Sequence, residues 1–131
     1  MNGLQEAVLK RANEYNFQLR TSDSNKLKEY VFNEIITPMV DNVTKVRTDF
    51  YNVTHLSDGI EIVLVDKKIK LQTAQDNFCI LEDRGDSSLM LLSVVFENDI
   101  AHVKGNDRFN EPIFEQLTYS HLTEAIKRLY Q

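Results

Sequence analysis

Apolar residues recur every three or four positions in the first third of the chain, and in short alternating runs after that. The first spacing is that of a helix face and the second that of a strand. Over residues 4–19, Leu4, Val8, Ala12, Tyr15 and Leu19 share one helix face, while Glu6, Lys10, Glu14 and Gln18 occupy another. The polar run Thr21-Ser22-Asp23-Ser24 interrupts this helix and supplies an N-cap for the next. Over residues 27–50 the helical spacing returns through Leu27, Val31, Ile35, Met39, Val43, Val46 and Phe50, with Pro38 in the middle. A proline there either kinks one long helix or opens a second one, with Thr37 as cap. The stripe keeps its phase across Pro38, which favours the kink.

Short runs of β-branched and apolar residues follow the turn Ser57-Asp58-Gly59. They cover residues 60–65, 69–73, 78–81, 89–96 and 100–104, and polar turns such as Asp66-Lys67-Lys68 and Asn98-Asp99 divide them. The fourth run, Leu89 to Phe96, is apolar on both faces, as a strand covered on both sides would be. Gly105-Asn106-Asp107 ends the fifth. Residues 108–117 contain Pro112 and read as an irregular connector, tucked onto the body by Phe109, Ile113, Phe114 and Leu117. A final helix over residues 119–129 carries the stripe Leu122, Ala125, Ile126 and Leu129, with Thr118 or Ser120 as N-cap and Lys127 and Arg128 at its C-terminal end.

Helices, then consecutive strands joined by tight turns, then a helix: this order predicts a single α+β domain with an antiparallel meander of about five strands. Turns this short exclude parallel crossovers. The helices must bury their stripes, so they are expected to cover one sheet face, with more helix or a second subunit on the other.

Composition narrows the function classes. At 131 residues the chain can build a core without disulfide or metal. Residues 1–51 are balanced, with 7 Lys/Arg and 7 Asp/Glu. Residues 52–131 carry 8 against 13, which accounts for the whole net charge of −5. An acidic sheet half repels phosphate backbones, so nucleic acid is not expected as a partner. Cys79, the only cysteine, sits in an apolar strand and reads as a buried structural thiol. A lone reduced cysteine, no signal peptide and no long apolar run predict a cytoplasmic protein with no membrane partner.

Candidate chemistry is sparse. His55, His102 and His121 follow no zinc spacing, so neither metal nor cofactor is expected. His55 and Asp58 are close enough in sequence for a dyad, although a pre-strand turn seldom fixes one. His55, Asp58 and His102 are therefore the polar groups to inspect in any helix–sheet pocket. Glu82, Asp83 and Asp86 lack the ligand pattern of a calcium loop. Arg84-Gly85-Asp86 and the two Asn-x-Thr sites at Asn42 and Asn52 read as coincidences. Tyr30, Phe32, Ile36 and Val40 lie beside the main stripe of the second helical segment and widen its apolar arc, a mark of either core or contact surface. The reading that results is a non-catalytic interaction module. It self-associates or docks a protein through a sheet face or the long helix. The alternative is a small-molecule binder or weak hydrolase with a helix–sheet pocket.

Overall fold

Among the described residues, seven strands lie between helices towards the two ends of the chain, so the fold is α+β with an antiparallel meander sheet. The computed structural model describes residues 2–106 and 109–131. The helices are α1 (Gly3–Arg20), α2 (Ser24–Tyr30), α3 (Thr37–Val46) and α4 (Tyr119–Lys127). The strands are β1 (Tyr51–Leu56), β2 (Gly59–Leu64), β3 (Lys67–Thr73), β4 (Asn77–Asp83), β5 (Ser88–Glu97), β6 (Ile100–Asn106) and β7 (Pro112–Gln116), paired in chain order.

Two strands are additional to the five expected, and each has a local reason. The helical spacing does not reach Phe50. Arg47 leaves α3 in extended conformation (φ −153°, ψ 136°) and clamps Asp49 with two bonds of 2.8 and 2.7 Å. The chain then enters β1, where Tyr51 and Val53 turn to the helices and Asn52 and Thr54 to the other face. The expected connector instead holds β7. Pro112 is its first residue, and β7 is an edge strand, so the missing N–H costs no ladder bond. Of that connector, Leu117 is buried, but Phe114 is more than half exposed. Asp107 and Arg108 lie outside the described residues.

One sheet face carries the core. Ile60, Ile62, Leu64, Ile69, Leu71, Phe78, Ile80, Leu92, Val94, Ala101 and Val103 alternate onto it and meet Leu27, Val31, Ile35 and Ile36 from the helical stretch and Leu122, Ala125 and Ile126 from α4. Ser24 ties the start of α2 to the sheet, its hydroxyl donating to the Asn77 carbonyl at 2.8 Å. Among the described residues no helix covers the far face, so the further helix that Leu89–Phe96 allowed for is not found there. A β-bulge interrupts that run. Ile80 pairs with Leu92 but Leu81 with Met90, which leaves Leu91 unopposed. The apolar run therefore splits, and Leu89 and Met90 end up exposed. Arg128, just past α4, donates to the Leu91 carbonyl at 2.8 Å.

Helical backbone is unbroken from α2 into α3. Between them, Val31–Ile36 form a π-helical turn, and the Thr37 N–H reaches back to the Phe32 carbonyl. The wider turn makes room for the Pro38 ring against the carbonyl four residues back. The proline thus neither divides the helix nor ends it.

The stripe on α1 meets a different fate from the one expected. No residue of α1 is buried. Leu4 is 74% exposed, Val8 60%, Tyr15 51% and Leu19 53%. The sheet face that would have received them is already filled by α2, α3 and α4.

Candidate functional site

The polar candidates do not converge. His55 lies on edge strand β1, not in a turn, and points to the helix face. Its ring meets Phe32 edge-on, with centroids 6.0 Å apart. Asp58 sits in the two-residue β1–β2 turn, where its carboxylate takes Lys70 Nζ at 3.1 Å and its carbonyl accepts from the Thr73 N–H at 2.7 Å. His102 is on β6 and faces the open side. It stacks on Phe114 at 4.7 Å and donates from Nδ1 to the Ile100 carbonyl at 3.0 Å. Five strand spacings, roughly 24 Å, and the thickness of the sheet separate the two histidines. Among the described residues no three His, Cys, Asp or Glu side chains meet where they could hold a metal ion.

The third histidine has a structural task. His121 Nδ1 accepts from the Thr118 N–H at 2.9 Å, and the Thr118 hydroxyl accepts from the His121 N–H at 3.4 Å. This is a capping box at the start of α4, with histidine in the place of the usual glutamate or glutamine. Nε2 donates to Glu115 Oε1 at 3.0 Å and fixes the tautomer. Nothing in the sequence marks that role beyond the threonine three positions upstream.

The four residues that widen the arc of the long helical stretch have separate surroundings. Ile36 is fully buried in the core, and Phe32 packs against it from the edge. Val40 is half-buried. Tyr30 is where α1 attaches. Phe17 meets it in a T-shaped contact of 5.3 Å, and the Arg20 guanidinium lies 4.8 Å from its ring centre while pairing with Glu34 at 2.5 Å. Burial raises the Tyr30 hydroxyl above its ordinary pKa, and Arg20 partly offsets this.

With its anchors gathered at the C-terminal end, α1 extends about 27 Å as an 18-residue arm. Asn2 and Gln5 form a capping box that fixes its start. The element has the caps of a stable helix and the apolar face of a packed one, but only Phe17, on the opposite side, packs against the core, and the stripe itself stays exposed. Sequence periodicity found the stripe; it could not show that other helices already occupy the sheet.

Two further surfaces carry features of interest. A groove of about 530 Å³ runs between α3 and α4, lined by Ile35, Pro38, Met39, Val43, Ile126 and Tyr130 among others. Val65 borders it at φ 62°, a strained setting for a β-branched side chain. None of His55, Asp58 or His102 lines this groove. The open sheet face is crossed by a charge ladder, Glu61–Lys68 at 3.1 Å and Lys68–Asp83 at 4.0 Å. Cys79 lies on this face, half-buried and not in the core, because its neighbours Phe78 and Ile80 take the inward positions. Burial pushes its thiol up and a hydrogen bond from Ser93 opposes the shift.

Comparison with known proteins adds no template: the chain matches no family model, no curated protein and no solved structure. Among the described residues no helix is long and apolar enough to cross a membrane.

Proposed function

We propose that this is a small cytoplasmic, non-catalytic docking module whose partner is a protein and whose contact element is α1. The observation that carries the reading is an 18-residue, capped helix with no fully buried residue, which touches the core through half-buried Phe17 and leaves the stripe Leu4, Val8, Tyr15 and Leu19 exposed. Four exposed apolar side chains on one helix face form the kind of continuous patch that marks a contact surface. The open sheet face is the lesser surface, because its charge ladder keeps it solvated. Separation of His55 from His102, and the engagement of the Asp58 carboxylate by Lys70, weigh against hydrolysis, which needs acid, base and substrate within hydrogen-bond reach.

A Val8→Glu, Leu19→Glu double variant tests the reading. It should leave the far-UV spectrum and melting temperature unchanged and abolish the protein's complexes in light scattering and co-purification. Complexes that survive both charges would sink it. The α3–α4 groove supports a second reading, capture of an apolar small molecule, because its volume and lining suit one. Met39→Trp would fill the groove and remove such binding while sparing contacts made by α1.

A further inference from the structure

The stripe on α1 is nearly its own mirror along the chain. Positions 4 and 19 are equidistant from a point between residues 11 and 12, and so are positions 8 and 15. A two-fold contact requires a surface that complements itself. Resting on the docking reading above, we propose that the occupant of the α1 face is α1 of a second copy, packed antiparallel about a two-fold axis near Ala12.

In that register Leu4 lies against Leu19 of the second copy and Val8 against Tyr15. The flanks then match as well. On one side Leu9, also close to half exposed, falls beside the small Ala12 of the other copy, so the helices can approach closely at the axis. On the other side Arg11 falls about 3 Å along the axis from Glu14 of the second copy, within reach of a charge-assisted pair. Among the described residues no carboxylate pairs with Arg11: its guanidinium lies over the ring of its own Tyr15 at 5.3 Å. Antiparallel packing also opposes the two helix dipoles favourably. A parallel pair would set Arg11 against Arg11 and Glu14 against Glu14.

Light scattering of the full chain at rising concentration, combined with cysteine pairing in a Cys79→Ser background, tests the register. The expected result is a dimer at high micromolar concentration that Val8→Glu converts to a folded monomer. Arg11→Glu should weaken it at least tenfold, and Arg11→Glu combined with Glu14→Arg should restore it. Ala12→Cys should link two copies on mild oxidation. Leu4→Cys should not link alone, since those positions would be about 22 Å apart, but should link when mixed with Leu19→Cys. A strict monomer at high micromolar concentration, or Leu4→Cys linking as readily as Ala12→Cys, overturns the proposal. A wild-type monomer that nevertheless makes a Val8→Glu-sensitive complex with a different protein overturns self-pairing alone. Complexes indifferent to Val8→Glu overturn self-pairing and the docking reading together.

Discussion

Gly59→Ala is the sharpest test of the sheet. Gly59 opens β2, pairs with Gln72 on β3, and follows the Ser57-Asp58 turn. A Cβ at this position would overlap the Leu71 carbonyl oxygen, and would stand 3.0 Å from the Leu71 carbonyl carbon and 3.2 Å from the Gln72 Cα. All three are backbone atoms, so no side chain can swing away. Relief requires β3 to retreat, which lengthens the Gly59–Gln72 pairing and the 2.7 Å bond from the Thr73 N–H to the Asp58 carbonyl. Two ladder bonds at about 1 kcal/mol each and an overpacking cost of about 1–3 kcal/mol give a destabilisation of about 3–5 kcal/mol. For a domain of this size that lowers the melting temperature by roughly 10–20 °C. Denaturant unfolding followed by circular dichroism reads the change. Gly3→Ala, where a Cβ meets nothing within 4 Å, is the control and should stay within about 0.5 kcal/mol. If Gly59→Ala costs no more than that control, the β2–β3 register that sets Ile60 against Leu71 is wrong.

Two further perturbations address other parts of the body. Asn98 and Asp99 both have positive φ (54° and 62°) in the two-residue β5–β6 turn, so Asp99→Gly should stabilise the protein by about 0.5–1 kcal/mol in chemical denaturation; a loss of stability would contradict this turn geometry. Burial, with Asp66 and Glu82 nearby, pushes Tyr130 up to about 12, while its hydroxyl donates to the Leu64 carbonyl at 2.8 Å. A phenol whose folded pKa exceeds the ordinary value of 10.0 contributes stability that is complete below about pH 10 and lost as pH rises through 12. Stability curves between pH 9 and 12 should therefore fall less steeply for Tyr130→Phe than for the wild type. Some slope remains, because burial also raises Tyr30 and Tyr51.

Much of the architecture was legible because periodicity follows burial. The strands from Ile60 to Lys104 alternate onto a core face, and Leu122, Ala125 and Ile126 of α4 are buried as their spacing implies. What escaped lies at the ends of the sheet. β1 was hidden because Phe50 continues the spacing of Val43 and Val46 beyond the helix, and because its outward residues Asn52 and Thr54 dilute the apolar signal. β7 was hidden by Pro112, which an edge strand tolerates at its first position. The bulge at Leu91 could not be read from a run of apolar residues, since it depends on how β4 meets β5. The same limit governs the site. The stripe of Leu4, Val8, Tyr15 and Leu19 was plain in the sequence, but its exposure depends on α2, α3 and α4 having filled the sheet. Tyr30 and Ile36 belonged to an arc whose spacing fitted either core or contact surface, and both are engaged within the chain, one by Phe17 and Arg20, the other by the core.

Hydrogen exchange resolved by residue and repeated across protein concentration tests most directly the claim that α1 is a docking arm outside the core. Amides of the core strands β3 and β4 should exchange slowly at every concentration. Those of Gly3–Arg20 should exchange quickly in dilute protein and slow down as concentration rises, and Val8→Glu should remove the concentration dependence. Protection of α1 that matches β3 and β4 in dilute protein, and that Val8→Glu leaves untouched, would contradict the account.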